Sequence, residues 1–599
     1  MRAFVAPLLL AAICIVAASS SPAAAKAPSN KPITLSLIAL NDFHGNILPP
    51  SGSVLVPDPD KPEGSRVSAG GAAYLASLVH QLKSQNPRNT LVVAAGDMLG
   101  ASPLTSGLFH DEPTIEVLDA IGLDISSVGN HEFDKGRLEL LRLQHGGCFP
   151  KTPDGSAGVV GTDTCMNRGR FAGARFQYLA ANVIDQQSAK PLLPAYAIKT
   201  VGGVKVAFIG LTLKDTPTVV TPAGVAGLDF KDEVETVNAL VPELRSKGAT
   251  VIVVLLHQGG QTTARKAQDR SCPGFSGELV SLVDHFDAAV DVVVSGHTHQ
   301  EYVCFRPDGK LVTQAGFYGR LVTKIDLTVD ARSKRVVAKD ANNQLVTNDV
   351  VVKDAQGNVL PLPRGYHALP KDRQISKIVQ RYGDLTAAVS DLVVGRVAEP
   401  LDRKLNAAGE SRLGAFIADV FLAGSSDASY GDKAAQIAFT NPGGLRSDIS
   451  ASPAVTFGQL FSVLPFNNNL VTMTLSGEQI RRLLEQQWEK PQPMGGRILS
   501  VSHGFSYQWD AQAPEGAARG DGARVVPDSI QLNGAALDMQ KDYRVTVNNF
   551  MASGGDNFMV LREGREVQTG EIDLMVAKLY LRVHGVVKPP EAGRITRLH

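Results

Sequence analysis

The chain has 599 residues, 44% of them apolar, and 59 Lys+Arg stand against 59 Asp+Glu. That length exceeds what one hydrophobic core organises, so two or more domains are expected. With no net charge and no long basic run, polymeric nucleic acid is not an expected partner.

The N-terminus reads as a secretory signal peptide over residues 1–25. Arg2 supplies the positive end, residues 4–18 the apolar stretch, and Ala23-Ala24-Ala25 a small-residue cleavage site. The apolar run is short, and a Ser/Pro/Ala tract follows it rather than a charged stop, which favours cleavage over an anchor. No other segment is long and apolar enough to span a bilayer, and no hydrophobic tail closes the chain. The mature protein is expected to be exported, to the periplasm or the medium, without a membrane anchor. Cleavage removes Cys14 and leaves Cys148, Cys165, Cys272 and Cys304, an even number in an exported chain. Local loop closure favours Cys148–Cys165 and Cys272–Cys304. The first pair would staple a Gly-rich insertion containing Gly146, Gly147, Gly155, Gly158 and Gly161, and the second a loop beside His297 and His299. None of the four sits in a C-x-x-C pair, so a structural zinc site is the weaker reading.

From residue 33 to 346, short apolar strands alternate with helical segments. Residues 35–40, 90–95, 204–211, 250–256 and 290–295 are strand-length runs rich in β-branched residues, apolar enough to be buried on both faces. Each ends in a polar loop: Asn41-Asp42-Phe43-His44, Gly96-Asp97, Leu211-Thr212, His257-Gln258-Gly259-Gly260 and Gly296-His297-Thr298-His299. In open α/β sheets ligands gather at the carboxyl ends of strands. Residues 347–392 read as the inter-domain linker, whose part 347–373 is polar and Pro-punctuated, with a turn at Asp354-Ala355-Gln356-Gly357-Asn358. Ile375, Ile378, Val379, Tyr382, Leu385, Val389 and Leu392 then fall at helical spacing, which predicts an amphipathic linker helix. Residues 393–599 alternate strands and helices again and form a second α/β domain.

Asp42 and His44, two apart at a strand end, are expected to project to one side, and His297 and His299 repeat that spacing. Asp97 follows a glycine on a buried strand and is the natural carboxylate to bridge two cations. Asn130 in the run Gly129-Asn130-His131-Glu132-Phe133-Asp134 offers an amide oxygen, and His257 another imidazole. Two carboxylates, one amide and four imidazoles without thiolate suit two divalent ions of the Zn, Mn, Co or Fe type rather than Ca. Two divalent ions, two carboxylates and a bridging hydroxide leave about one positive charge, which attracts a phosphate. His131 adjoins a ligand and faces the substrate, and Asp134, one helical turn on, fixes its tautomer.

These motifs resemble those of the calcineurin-type dinuclear metallophosphatases, and Phe133-Asp134 with the large second domain resembles the 5′-nucleotidase branch. The resemblance implies an N-terminal four-layer α/β/β/α domain over residues 33–346. It implies one metal held by Asp42, His44, Asp97 and His299, the other by Asp97, Asn130, His257 and His297, with His131 and Asp134 as catalytic dyad.

In the second domain, Asn441-Pro442-Gly443-Gly444-Leu445-Arg446 is a tight turn presenting an Asn and an Arg. Phe466 and Phe550 lie in polar loops, Phe466 beside Asn467 and Phe550 ahead of Ser553-Gly554-Gly555-Asp556, where a pair of rings suits a flat base. The resemblance implies that the two phenylalanines clamp the base, that Asp556 reaches the ribose hydroxyls, and that Asn441, Arg446 and Arg403 assist at ribose and phosphate. Arg412 competes with Arg403 for that role. The activity implied is release of phosphate from nucleoside 5′-monophosphates by a metal-bound hydroxide, extending to nucleotide diphosphate sugars. A 2′,3′-cyclic-nucleotide phosphodiesterase with 3′-nucleotidase activity is the sister alternative, and a non-catalytic nucleotide-binding surface protein the remote one.

Overall fold

The computed structural model describes residues 31–152, 157–353, 358–426, 431, 433–449 and 454–599. The signal segment 1–25 with Cys14, Gly155, and residues 354–357 of the Asp354 turn lie outside them. Among the described residues, no helix is long and apolar enough to cross a membrane.

The continuous apolar runs do form strands buried on both faces, and every residue of Val251–His257 is buried. They belong to two six-stranded sheets. The first is ordered Val336–Leu345, Leu321–Val329, Ile33–Leu40, Thr90–Ala95, Ile125–Ser127 and Gln177–Leu179. The second is ordered Glu301–Phe305, Leu311–Ala315, Val292–Ser295, Val251–His257, Val204–Thr212 and Tyr196–Val201. The sheets pack face to face through a core joining Leu37, Val93 and Ile125 to Phe208, Val253 and Val294. Helices Ala72–Gln85, Glu112–Ile121 and Arg373–Ser390 share the outer core of the first sheet, and Glu233–Ser246 and Glu278–His285 that of the second. This is the expected α/β/β/α arrangement. Parallel pairing aligns the strand ends: Leu40 lies opposite Ala94, Thr212 opposite His257, and Leu256 opposite Ser295. The loops after those strands emerge at one edge of the double sheet.

The predicted linker helix spans Arg373–Ser390, and the Asp372 side chain caps it by accepting from the Gln374 and Ile375 amides. Its N-terminal half belongs to the first domain, where Ile375 and Tyr382 join the core. Leu385 and Val389 of the same stripe are exposed, and Leu392, also exposed, lies beyond the helix, which ends at Ser390. Both expected disulfides form, Cys148–Cys165 and Cys272–Cys304, each with Cα atoms 5.3 Å apart. Each restricts the unfolded chain, a contribution of roughly 3 kcal/mol.

The second domain is built on a five-stranded sheet ordered Ser500–Val501, Ile437–Thr440, Asp542–Asn548, Asn469–Ser476 and Arg565–Ile572. Helix Arg412–Ala423 packs on this sheet beside Asp573–His584. Helix Phe457–Val463 starts at a capping box in which Thr456 and Gln459 satisfy each other's backbone amides. The core here also takes in a residue of the first domain, Leu104, from the short helix Leu104–Gly107.

Candidate active site

The loops after five strands bring Asp42, His44, Asp97, Asn130, His257, His297 and His299 together at the sheet edge. His299 Nε2 lies 3.2 Å from His44 Nε2 and 3.3 Å from Asp42 Oδ1. His257 Nε2 lies 2.9 Å from Asp97 Oδ2, and His297 Nδ1 lies 3.0 Å from Asn130 Oδ1. Asp97 Oδ2 is also 3.7 Å from His44 Nε2, so its carboxylate stands between the two groups. Asp42, His44 and His299 form one potential ion-holding set, and Asp97, His257 and His297 a second.

The donor atoms fit cations better than they fit one another. His44 Nδ1 donates to Gly100 O at 3.0 Å and His257 Nδ1 to Ala95 O at 2.7 Å, which leaves both Nε2 atoms as lone pairs facing inward. His257 Nε2 is buried without an aligned hydrogen-bond partner, although Asp97 is close. Two ligand atoms at roughly 2.1 Å from one ion, 90–110° apart, are about 3.0–3.4 Å from each other. Most of the close pairs above fall at that spacing. Burial pulls His257 down, but the facing Asp97 carboxylate outweighs it and lifts the imidazole to about 9. Burial and the neighbouring His257 charge hold His297 at about 3, and burial also lowers His44 and His299. A proton on His257 thus stands where a divalent ion would screen Asp97, and binding of the ion would release it.

The expected common direction of Asp42 and His44 is achieved by a different route from strand alternation. The strand ends at Leu40, and Asp42, His44, Asp97, His297 and His299 all have left-handed backbone, with φ of 48°, 47°, 51°, 71° and 56°. Non-glycine residues adopt that region at a cost, and such strain gathers at functional sites. Glu132 supports it. Its buried carboxylate accepts the Asp97 and Met98 amides at 2.9 Å and the Gly129 amide at 2.5 Å, tying two ligand loops together. Burial, with the nearby Asp97 charge, raises this carboxyl to about 7. Gly129 is required there, since a Cβ would collide with Asp97 Oδ1.

His131 Nδ1 meets Asp134 Oδ2 at 2.8 Å, the dyad geometry expected, and the His131 amide donates to Asp97 Oδ1 at 2.9 Å. One cavity of about 300 Å³ is walled by Asn130, His131, Asp134 and His297 from the first domain and by Asn441, Arg446, Phe466, Phe550 and Asp556 from the second. Phe466 and Phe550 are partly exposed in it, and the Phe466 ring stacks on His131 with centroids 5.7 Å apart. Arg446 Nη2 reaches to 3.3 Å from His44 Nε2. Asp556 is held by Asn441 Nδ2 at 2.6 Å and Arg497 Nη1 at 2.9 Å. Arg403 is not brought to this cavity: it pairs with Asp448 at 3.0 Å and lines a neighbouring one. Arg412 pairs with Glu399 at 2.9 Å, outside both. Arg497 and Asn548 also line the main cavity, and sequence reasoning missed both. Arg497 lies in a coil without a motif, whereas Asn548, next to Asn549-Phe550, was within reach of the loop reading.

This fold and donor set define the class of calcineurin-like metallophosphatases, which implies divalent metal ions. The calcineurin-like phosphoesterase model matches residues 35–301 and the 5′-nucleotidase C-terminal domain model residues 393–563. The chain thus carries a calcineurin-like phosphoesterase domain followed by a 5′-nucleotidase C-terminal domain. It is 30% identical to an endonuclease, YhcR, of Bacillus subtilis over 92% of its own length, and it spans 40% of that relative's length. It is 25% identical to the 5′-nucleotidase of Bos taurus, covering 95% of this chain and 92% of that one. The crystal structure of a 5′-nucleotidase precursor from Thermus thermophilus superposes with a TM-score of 0.70 at 27% identity, covering 94% of this chain and 99% of that one.

Proposed function

We propose that the chain is an exported, metal-dependent hydrolase that releases phosphate from nucleoside 5′-monophosphates, with nucleotide diphosphate sugars as an extension. The observation that carries this reading is the shared cavity, with His131, Asp134 and metal-ligand side chains on one wall and Phe466, Phe550, Asn441 and Asp556 on the other. Two divalent ions of the Zn, Mn, Co or Fe type, when bound, supply an activated water and neutralise phosphoryl charge. Asp42, His44, Asp97 and His299 would hold one ion, and Asp97, Asn130, His257 and His297 the other. Burial lowers the His131 imidazole, but Asp134 and Asp97 prevail and raise it. His131 therefore presents an N–H to the phosphoryl group or the departing oxygen, while Asp134 holds the other nitrogen. Arg446 adds positive charge on the same side. Phe466 and Phe550 offer faces to the base, and Asp556, anchored by Arg497 and Asn441, keeps acceptor capacity for ribose hydroxyls. Arg403 is a weaker member of this set, since Asp448 engages it.

The test compares phosphate release from 5′-AMP, 3′-AMP, 2′,3′-cyclic AMP and UDP-glucose by the mature chain with Mn²⁺ or Zn²⁺. Preference for 5′-AMP is expected. Preference for the cyclic substrate would assign the sister activity instead, and no turnover with two ions bound would leave only nucleotide binding.

A further inference from the structure

Beyond Tyr318 lies a second cavity of about 300 Å³, lined by Arg66, Arg320, Arg403, Arg446 and Asp448 among others. Tyr318 belongs to its wall and also touches the metal-ligand side, with its ring 5.8 Å from that of His44 and its hydroxyl donating to Arg446 O at 3.0 Å. Arg66 and Arg320 come from the first domain, Arg403 and Arg446 from the second. Four guanidinium groups thus meet one carboxylate across the domain boundary. Asp448 is engaged by Arg403 at 3.0 Å. Among the described residues, Arg66 donates to Ser53 O at 3.4 Å. The Nε atoms of Arg320 and Arg446 are buried without a hydrogen-bond partner. Arg320 lies over the Phe317 ring at 4.6 Å, which fixes the plane of its fork. Like charges at this density repel in a partly buried space; burial is the main cause that disfavours the Arg320 charge, Tyr318, Glu301 and Asp448 oppose it, and Arg403 adds to it. An oxyanion with several acceptor oxygens removes the repulsion and satisfies the unused N–H donors.

We propose that this cavity is a second anion site, built for inorganic phosphate or a similar tetrahedral oxyanion, which bridges the two domains and takes up phosphate released at the metal centre. The anion site stands on the arginine geometry alone, whereas its supply by the reaction rests on the proposed phosphatase activity. Arg446 makes the passage direct, because it lines both cavities. It differs from the reacting phosphoryl position in using Arg66 and Arg320, neither of which lines the substrate cavity.

The experiment has two arms. In the first, full-length protein stripped of metal with a chelator is titrated with inorganic phosphate by calorimetry. Binding is expected, weakened about tenfold or more in Arg320→Gln and in Arg66→Gln. Arg66 is exposed, so its replacement leaves the fold intact even if Arg320→Gln misfolds. Absence of binding, or binding unchanged in Arg66→Gln and in any folded Arg320→Gln, would overturn the site. In the second arm, metal-loaded protein turns over 5′-AMP while adenosine and free phosphate are followed in time. Phosphate should lag adenosine in the parent and lose that lag in Arg66→Gln. Simultaneous release in the parent would overturn the link to the product and leave the anion site. No turnover at all would overturn the phosphatase reading instead.

Discussion

Removal of the Glu132 carboxylate tests whether the ligand loops are held by one buried side chain. In Glu132→Ala, the amides of Asp97, Met98 and Gly129 lose their acceptor together. A buried donor left unpaired costs about 1–3 kcal/mol, so the gross loss is about 3–9 kcal/mol. Water entering the space would restore part of it, and about 3–5 kcal/mol remains as the expected effect. Glu132→Gln keeps one acceptor oxygen but turns an NH₂ toward at least one of the donors, so about 1–3 kcal/mol is expected. The assay is calorimetric unfolding of metal-free protein, with amide hydrogen exchange at Asp97, Met98 and Gly129 and metal content after reloading. Exchange at those three amides should accelerate first, and metal content should fall in step with it. A Glu132→Ala protein within about 1 kcal/mol of the parent, with slow exchange and full metal, would refute the reasoning.

His131→Ala should reduce turnover of 5′-AMP by about 10²–10⁴-fold with metal content unchanged; metal loss would make His131 a ligand rather than a proton donor. Phe550→Ala should raise KM for nucleotides by about tenfold and spare a simple aryl phosphate, in line with about 1–3 kcal/mol of base stacking. Equal damage to both substrates would mark a packing residue. Burial holds the Asp573 carboxyl up at about 7 in the folded state, against the Leu574 amide and Asn468 that stabilise its ionised form. With the folded value above the unfolded one, stability is full below about pH 4, declines as pH rises to about 7, and is level above. Asp573→Asn should remove that slope, gaining on the parent in thermal unfolding at pH 8 relative to pH 4; parallel curves at the two pH values would contradict it.

The candidate metal ligands other than Asn130 were legible because each combines a potentially ligating side chain with a strand-end position, and apolar runs buried on both faces announce where those ends lie. The four-layer order came from the family resemblance and not from these runs, and Ile125–Ser127, three residues long, carries too little apolar pattern to be seen before Asn130. The left-handed backbone at five candidate ligands was not legible, since Asp and His do not advertise positive φ as glycine does. Phe466 and Phe550 were recognisable as odd in polar loops, but the stacking of Phe466 on His131 depends on how two distant domains meet. Arg497 escaped notice because its partner Asp556, in the same domain, is 59 residues away in the chain. The placement of Arg403 went unseen because the resemblance that suggested it says nothing of its pairing with Asp448.

Leu104, a first-domain side chain only 3% exposed within the second domain's core, bears on any attempt to produce the halves as separate proteins. A second domain expressed from residue 393 onward would carry an open socket where that leucine and its neighbour Leu108 sit. The first domain alone would show Leu104 to water, at about 1.5–3 kcal/mol for a fully buried side chain lost, whereas Leu108 also packs against the first domain's own core. The seam between the halves acts as a fastener as well as a cleft, and a mixture of the two separated pieces should snap back into one complex through this plug.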